Sequence, residues 1–481
     1  MTPRPTHRRA GTLAGSLLAS LALAAGTAAA GTAGAPGIGD PYYPTDGNGG
    51  YDALDYDVNV AYDPPTRQLD GDTTVTAAAT QDLDRFNLDL TGLTVHSVRV
   101  NGAPAQFSRS GEHELSVTPP ATVDKGDVFR VEVTYAGVPQ ALNSDVGTAG
   151  WQISQSGGAF AAGEPHSAST WYPVNDHPQD KAQYRITARV PQDWKVVSNG
   201  REVSTNDANG WTTSSWATRN PMASYLSTIG IDRWDLERSR LSDGTPVINA
   251  YAPGAENAKG PEHRLPEVLD FLSSKFGPYP HAAAGGIFLA DPIDFSLETQ
   301  GRPTYTSRGA NLTTIVHEQA HQWYGDSVSV HRWRDVCLNE CVASYAQWMW
   351  DEDKEHQNLD DKYRQGVARA TPQFWSGKLV DMGPGNEFSS VYTKGKLAMH
   401  ALRRQIGDDD FDRLLHALPA LHRNGNATWE QFEQLAERIS GQDLNEFFQQ
   451  WFHGNQKPDD EYLWPGGLDQ DPQSQRPPKQ G

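Results

Sequence analysis

The residues of this chain that best indicate chemistry are two histidines four positions apart, His317 and His321, with Glu318 between them. In a helix, side chains at positions i and i+4 project from one face, so the two imidazoles can bind one zinc ion. Glu318 points to the side of that pair, where a metal-bound water would lie, and can act as a general base. The pattern predicts metal-assisted hydrolysis.

Glu340 is the candidate for a third metal ligand, and eighteen residues separate it from His321. Two histidines and one glutamate leave the fourth position of a tetrahedral zinc ion open for water, which is typical of catalytic sites. We therefore expect one Zn²⁺ ion bound by His317, His321 and Glu340. The alternative is a helix whose histidines only cap or pack.

The two cysteines of the chain, Cys337 and Cys341, flank Glu340. A lone pair in an oxidising compartment usually forms a disulfide, and Cα atoms four apart in a helix lie about 6 Å apart, near the upper end of the workable range. A disulfide here would stiffen the turn that carries the third ligand. Two buried free thiols are the alternative, and zinc ligation is disfavoured because His317, His321 and Glu340 already fill the protein positions.

Two helices must position these side chains. Apolar and β-branched residues from Thr313 to Val316 are expected to bury the approach to the helix of the two histidines. Trp333 to Trp350 has the period of a second helix, which carries Glu340. Its predicted core face is formed by Val342, Tyr345 and Trp348 or Met349.

From about residue 51 to residue 235, apolar residues recur at every second position, which predicts β-strands. Asn101-Gly102 is a signal for a tight hairpin turn. Many short strands separated by turn residues predict an all-β sandwich or saddle-shaped domain. The alternating sets are Leu54, Tyr56, Val58, Val60 and Tyr62; Phe86, Leu88 and Leu90; Phe129, Val131, Val133 and Tyr135; and Tyr184, Ile186, Ala188 and Val190.

After about residue 236 the apolar period becomes helical. Pro266 to Phe276 predicts a helix that ends at Gly277, and Ile287 to Leu289 predicts a short buried strand. Thr428 with Gln431 fits a capping box. Residues 392–453 are predicted to be wholly helical, with apolar faces in Lys396 to Arg404, Phe411 to Leu418, Trp429 to Ile439 and Leu444 to Phe452.

The first thirty residues have the pattern of an export signal, with basic residues, an apolar stretch from Leu13 to Ala25 and small residues at Ala28 to Ala30. We therefore predict a signal peptide over residues 1–30 and a secreted, soluble protein. Residues 31–50 are rich in Gly, Pro and Thr and are predicted to form a flexible lead. Residues 461–481 are predicted to be a disordered tail.

A length of 481 residues predicts two or three domains. No run of about 18 apolar residues follows the export signal, so we expect no membrane anchor. Removal of residues 1–30, which include three Arg and no acid, changes the net charge from −20 to −23. An acidic surface disfavours nucleic acids and anionic membranes as partners. Composition does not define the oligomeric state, and a monomer is the default expectation.

Several motifs resemble those of the aminopeptidase N family of zinc metallopeptidases, which are of the gluzincin type. The resemblance covers roughly residues 50–460 and implies a multidomain α+β fold: an N-terminal β domain over 51–235 and a thermolysin-like catalytic domain with C-terminal helices over 236–460. We expect this sequence to lack the large extra helical domain of many relatives. The matching stretches are Phe276–Pro280, His317–Asp326, Trp333–Asp335, Leu338–Glu340, Val391–Gly395 and Phe447–Trp451.

The resemblance also implies roles for individual side chains. Glu318 would take a proton from the water and pass it to the leaving amine, and Tyr392 would donate a hydrogen bond to the oxyanion. Glu298 and Glu164 would bind the free α-ammonium group of the substrate; without the resemblance, either would be interpreted as a solvated surface acid. Phe295–Thr299 keeps the glutamate of the family's Gly-Ala-Met-Glu-Asn motif but changes its Gly-Ala and its Asn.

The primary hypothesis is a secreted zinc aminopeptidase whose partners are peptides with a free N-terminus. A zinc endopeptidase is the nearest alternative, and in it Glu164 and Glu298 would not bind an amine. A catalytically inactive, peptide-binding homologue is a third alternative. It is disfavoured because Glu318 and all three candidate metal ligands are present.

Overall fold

The computed structural model describes residues 31–144, 147–293 and 295–468, together with Met1. The predicted signal peptide, apart from Met1, and residues 469–481 of the predicted tail lie outside the described residues. No helix in the described part of the chain is long and apolar enough to cross a membrane.

Strands dominate the chain up to residue 232. They are β1 Thr32–Ala33, β2 Tyr51–Asp63, β3 Gln68–Ala79, β4 Leu83–Asp89, β5 Thr94–Val100, β6 Ala103–Pro104, β7 Gln106–Ser110, β8 Glu114–Thr118, β9 Val128–Gly137, β10 Leu142–Ser144, β11 Gly147–Ile153, β12 Ala159–Ala162, β13 Lys181–Pro191, β14 Lys195–Ser198, β15 Arg201–Ala208, β16 Trp211–Ala223 and β17 Ile229–Asp232.

These strands form an eight-stranded sheet of order β15-β16-β13-β2-β3-β9-β5-β6, a five-stranded sheet of order β10-β11-β12-β17-β14, and a four-stranded sheet of order β1-β4-β8-β7. The alternating pattern explains them, because every second side chain of β2, from Tyr56 to Tyr62, is buried. Leu54 is the exception. The register of β2 against β3 shifts between Ala53 and Asp55, which leaves Leu54 39% exposed. The predicted β-rich N-terminal domain is confirmed.

The predicted hairpin turn at Asn101-Gly102 is also confirmed. It joins β5 to β6, and both residues have positive φ, 50° for Asn101 and 77° for Gly102. That pair of dihedral angles suits a two-residue hairpin loop and is readily adopted by Asn and Gly.

A different sheet begins at residue 235 and is followed by helices. The strands are β18 Asp235–Arg240, β19 Pro246–Tyr251, β20 Ala284–Phe288, β21 Thr304–Tyr305, β22 Val328–Val330 and β23 Gly425–Ala427. The helices are α1 Lys259–Glu262, α2 Leu265–Phe276, α3 Leu312–Ala320, α4 Cys337–Glu355, α5 Leu359–Arg369, α6 Pro372–Ser376, α7 Thr393–Ile406, α8 Asp408–Leu421, α9 Trp429–Ser440, α10 Asn445–Phe448 and α11 Asp460–Leu463. Short 3₁₀ turns lie at Ala168–Thr170, Ser224–Leu226, Glu256–Ala258, Trp333–Asp335 and Pro465–Gly467, and a π-helical turn at Gln449–His453.

The predicted helices around the site are confirmed. Helix α2 ends before Gly277, and α4 buries Val342, Tyr345 and Met349. Thr428 and Gln431 form the predicted capping box at the start of α9. The prediction that residues 392–453 are wholly helical is wrong at one place, where β23 forms. This short extended segment pairs in parallel with β22 and so satisfies backbone groups of residues almost a hundred positions earlier.

The prediction of a flexible lead over residues 31–50 is wrong. Asp40 and Tyr42 are buried, and the Asp40 carboxylate accepts hydrogen bonds from the backbone N–H groups of Tyr42, at 2.8 Å, and Trp333, at 2.9 Å. A segment rich in Gly and Pro has little intrinsic structure, but here its polar and aromatic side chains are ordered by distant parts of the chain.

The prediction of a disordered tail from residue 461 is wrong for residues 461–468. Helix α11 begins at Asp460, and Leu463 and Leu468 are buried. The hydroxyl group of Tyr363 in α5 donates a hydrogen bond to the Leu463 carbonyl. The two buried leucines, together with the partly buried Tyr462 and Trp464, therefore keep this segment on the helical region.

Candidate active site

Helix α3 carries the first two candidate metal ligands. Asn311 caps its N-terminus, where the side-chain oxygen accepts a hydrogen bond from the Thr314 N–H at 3.1 Å. Ile315 and Val316 are fully buried and fix the rotation of the helix. His317 therefore projects from the last turn and His321, at the C-terminal cap, from the same face.

The three candidate ligands converge on one point. The Nε2 atoms of His317 and His321 are 3.1 Å apart, and Glu340 Oε2 lies 3.1 Å from His317 Nε2 and 3.5 Å from His321 Nε2. Ligands of a tetrahedral zinc ion with bonds near 2.1 Å are separated by about 3.4 Å. The His321 Nδ1–H group donates to the Tyr324 carbonyl at 2.9 Å, which leaves Nε2 free to bind metal. The donor set fits one zinc ion.

Glu340 lies in the first turn of α4, with Cys337 and Cys341 on either side in sequence. These cysteines form a disulfide rather than remaining free thiols, with a Cα–Cα distance of 4.7 Å. Burial opposes ionisation of Glu340, but the positive charge of His321 and hydrogen bonds from both histidines lower its pKa to about 2. Glu340 is therefore an anion at any working pH.

Glu318 lies beside the metal ligands and is only 5% exposed. Its carboxylate, that of Glu298 and a ring nitrogen of His321 each offer an atom within 4.8 Å of the others. Burial raises the pKa of Glu318 well above its ordinary value, and the charges of Glu298 and Glu340 act in the same direction, while that of His321 opposes them. A carboxylate that holds a proton readily is suited to accept one and pass it on.

Glu298 is a buried and Glu164 a half-buried acid of the same cleft. Glu298 is 2% exposed and accepts a hydrogen bond from the Tyr225 hydroxyl group at 3.3 Å. Glu164 Oε1 is buried and has no hydrogen-bond partner among the described residues. Burial raises the pKa of both carboxyl groups, and the charge of Glu298 raises that of Glu164 further. Ionisation of both acids is therefore unfavourable in the free protein, and a cationic group of a ligand between them would stabilise their charged forms.

Tyr392 immediately precedes α7 and is 39% exposed. The centroid of its ring lies 6.1 Å from that of His317. Desolvation, followed by the charge of Glu340, raises its pKa well above the ordinary value, so the phenol keeps its proton. A cavity of about 170 Å³ lies in front of it, with Thr148, Ala162, Glu164, Leu297, Phe388 and Tyr392 in its wall.

The structure thus brings every predicted site residue to one cleft, formed by the β-rich domain on one side and by α3, α4 and the start of α7 on the other. Two residues of the cleft were missed. Tyr225 supports Glu298 from 73 positions away in sequence, and Phe388 lines the cavity from an irregular segment before α7. Neither belongs to a local pattern, so no sequence signal indicates them.

Comparisons with known proteins agree with this geometry. The family model described as the Peptidase M1 N-terminal domain matches residues 52–226, and the Peptidase family M1 domain matches residues 293–451. Together the two models cover well over half of the chain.

Similar curated proteins include aminopeptidase M1 of Arabidopsis thaliana, 26% identical over 60% of this chain and 36% of that protein. Aminopeptidase N of Lactococcus lactis subsp. cremoris is 24% identical over 82% of this chain and 50% of that protein. Aminopeptidase N of Homo sapiens is 28% identical over 50% of this chain and 28% of that protein. The chain therefore spans half or less of the length of these relatives.

One solved structure matches this chain over nearly the whole length of the solved protein. The crystal structure of the M1 zinc metallopeptidase from Deinococcus radiodurans has a TM-score of 0.82 and 28% identity, and the match covers 88% of this chain and 98% of that one. A mutant of that peptidase bound to a Tyr-Ser-Ala substrate also has a TM-score of 0.82, with 27% identity over 88% of this chain and 99% of that one.

Proposed function

Because this chain belongs to peptidase family M1, we propose that it is a zinc-dependent aminopeptidase that hydrolyses the first peptide bond of peptides with a free N-terminus. One observation carries the proposal. Two carboxylates, Glu298, which is buried, and Glu164, which is half-buried, lie close to the metal-ligand set, and Glu164 Oε1 has no hydrogen-bond donor among the described residues.

The metal-ligand set and Glu318 account for hydrolysis. A zinc ion held by His317, His321 and Glu340 would supply a Lewis acid that activates water at neutral pH. Glu318 accepts the proton of the attacking water and delivers it to the leaving amine nitrogen. Its burial favours the protonated form between these two transfers, so the proton is retained in the cleft.

Tyr392 accounts for stabilisation of the transition state. Its protonated phenol at the mouth of the cavity donates a hydrogen bond to the carbonyl oxygen as negative charge develops there. A donor already in place when charge develops requires no reorganisation of solvent, and one such donor typically changes the rate about 100- to 1000-fold.

The two glutamates account for exopeptidase specificity. A substrate α-ammonium group between Glu298 and Glu164 makes charge-assisted hydrogen bonds and relieves the repulsion between the two acids. An N-acetylated peptide supplies no positive charge and would leave both carboxylates buried and unpaired. The cleft therefore selects the N-terminal residue of a peptide over an internal position, which disfavours an endopeptidase.

We also propose that the protein is secreted, with residues 1–30 removed. The N-terminal pattern supports export, and so does the Cys337–Cys341 disulfide, because such bonds persist in oxidising compartments. N-terminal sequencing of protein recovered from the culture medium should give a chain that starts close to Gly31. Recovery of the chain from the cytoplasm alone, with its N-terminus intact, would contradict secretion.

The central experiment compares an aminoacyl p-nitroanilide with its N-acetylated form, with purified zinc-loaded protein. We expect hydrolysis of the free-amine substrate only. A Glu318→Gln variant that still binds zinc is the matched control, and it should be inactive on both substrates, which excludes a contaminating peptidase. Equal hydrolysis of both substrates would establish an endopeptidase-like site. Hydrolysis of neither by the zinc-loaded protein, with retained peptide binding, would establish an inactive homologue.

A further inference from the structure

A second group of metal-type side chains lies in the N-terminal domain. Asp89 is the last residue of β4 and Glu114 the first of β8, and the two are directly opposite each other in the antiparallel register. His113 precedes Glu114 in the chain. Each of these three residues offers one ligand atom within 4.8 Å of the others. Asp89 and His113 border a cavity of about 190 Å³ whose lining residues are all different from those of the catalytic cleft, and Glu114 lies beside them.

The carboxylates of this group are incompletely satisfied. Asp89 is 1% exposed; its Oδ2 atom accepts a hydrogen bond from the Asp176 N–H at 2.8 Å, but its Oδ1 atom has no donor among the described residues. Both carboxylate oxygens of Glu114 are likewise buried without a donor. Like charges directly opposite each other on neighbouring strands are destabilising, and a buried carboxylate without a partner is more so. Apart from His113, whose Nε2 lies 3.9 Å from Asp89 Oδ1, a cation or a shared proton would stabilise such a pair.

The remaining groups around the cavity favour a cation. Asp46, which is paired with His166, and Asp176 and Glu112 also line it, so the local charge is strongly negative. Burial raises the pKa of Asp89, and the charges of Asp176, Glu114 and Asp46 raise it further. A divalent ion would offset several of these repulsions at once, whereas a single proton offsets one.

The distances fit a coordination shell. His113 Nε2 lies 3.0 Å from the Thr45 carbonyl oxygen, to which it donates a hydrogen bond, and 3.9 Å from Asp89 Oδ1; a bound ion would take the place of the Nε2 proton. Two ligand atoms bound at 2.1 Å to one ion lie about 3.0 to 4.2 Å apart, as in octahedral or tetrahedral geometry. A nitrogen ligand together with carboxylates and a carbonyl suits Zn²⁺ or Mn²⁺ better than Ca²⁺ or Mg²⁺, which prefer oxygen ligands alone.

We propose that Asp89, His113 and Glu114, with the Thr45 carbonyl, bind a divalent first-row metal ion that joins β4 to β8. The role is structural, because the ion would connect two strands of the β1-β4-β8-β7 sheet to the segment at residue 45. This proposal is independent of the peptidase function, since it involves none of the residues of the catalytic cleft.

The first test counts metal ions per chain. Full-length protein is equilibrated with excess Zn²⁺, freed of unbound metal and analysed by mass spectrometry for elemental zinc. We expect two ions per chain in the wild type and one in His113→Ala or Glu114→Gln, with unchanged peptidase turnover. His96→Ala, which removes an exposed histidine of the same domain, should keep two. One ion per chain in the wild type would overturn the proposal.

The second test uses the wild type alone and so does not depend on the folding of variants. With the catalytic site filled by one equivalent of Zn²⁺, Mn²⁺ is titrated while the paramagnetic resonance signal of free Mn²⁺ is followed. Loss of one equivalent of free signal, together with a higher melting temperature, supports the site. A signal that rises from the first addition, with an unchanged melting temperature, would show that Asp89 and Glu114 share a proton instead.

Discussion

At the scale of single residues, the cleft divides three chemical roles among four glutamates. Glu340 is held as an anion beside two histidines, whereas burial raises the pKa of Glu318, Glu298 and Glu164. Surroundings, rather than residue type, therefore decide which glutamate binds metal, which moves a proton and which binds an amine.

Tyr392→Phe should separate transition-state stabilisation from binding. The substitution removes one hydroxyl group at a partly exposed position, so the fold and the zinc content should be unchanged. We expect kcat to fall about 100- to 1000-fold with little change in KM. Tyr462→Phe, which removes a hydroxyl group in α11, is the matched control and should retain full activity. A Tyr392→Phe enzyme with wild-type kcat would exclude the proposed donor.

Glu298→Gln should weaken recognition of the free amine. The amide keeps the size of the side chain and can still accept the Tyr225 hydrogen bond, but it no longer pairs with an ammonium group. We expect kcat/KM on an aminoacyl anilide to fall about 100-fold, as is typical when one partner of a buried charge pair is removed. A wild-type kcat/KM for Glu298→Gln would contradict the amine site, and loss of bound zinc from the variant would instead indicate damage to the metal ligands.

At the scale of elements, the contact between α4 and α7 positions both the third metal ligand and Tyr392. Gly395, in the first turn of α7, faces Cys341: a Cβ atom at Gly395 would lie 2.7 Å from Cys341 Sγ and 3.2 Å from its Cα. The helices can approach this closely only because position 395 lacks a side chain. The disulfide keeps the Cys341 side of this contact rigid.

Gly395→Ala tests that contact, because the sign of the change in stability depends on whether a methyl group fits there. In an open helix, glycine to alanine stabilises by about 1 kcal/mol, but forcing a methyl group into a packed contact costs about 1–3 kcal/mol. We therefore expect a lower melting temperature together with reduced kcat, since α7 must move and Tyr392 moves with it. Gly260→Ala in α1, where a Cβ atom would meet open space, should be neutral or stabilising. A stabilised Gly395→Ala variant would contradict the proposed packing.

At the scale of the whole molecule, Lys181 connects the β-rich domain to the catalytic region. It lies at the start of β13, and its Nζ atom donates to the carbonyl oxygens of Asp326, Ser327 and Gly425 at 2.7, 3.0 and 3.1 Å. Asp326 and Ser327 follow the candidate ligand His321 by only a few residues. One lysine therefore fixes the distance between the domain that carries Glu164 and the turn that follows the metal-binding helix.

Lys181→Met should lower both stability and catalytic efficiency. Methionine fills a similar volume but leaves buried carbonyl groups without a donor, which we expect to cost about 1–3 kcal/mol. Chemical denaturation measures the loss of stability, and a rise in KM would report displacement of Glu164 from the cleft. Lys125→Met, at an exposed position of the same domain, should change stability by less than about 0.5 kcal/mol. Equal effects of both substitutions would contradict the role of Lys181.

The sequence by itself determined the chemistry and the local elements. His317, His321 and Glu318 are identifiable because i, i+4 spacing on a helix is a property of a few consecutive residues, and the same is true of the Asn101-Gly102 turn and the Thr428 capping box. The alternating strands were equally local, although the bulge that exposes Leu54 was not.

Only the tertiary structure decided which distant groups meet. Glu164 and Glu298 look like surface acids in the sequence. In the folded chain they are shielded from solvent because they lie where the β-rich domain meets the catalytic region. Residues 31–50 look flexible, yet Asp40 is fixed by a hydrogen bond to the backbone of Trp333, 293 positions later. Composition reports the tendency of a short segment, whereas burial and long-range hydrogen bonds depend on the folded chain as a whole.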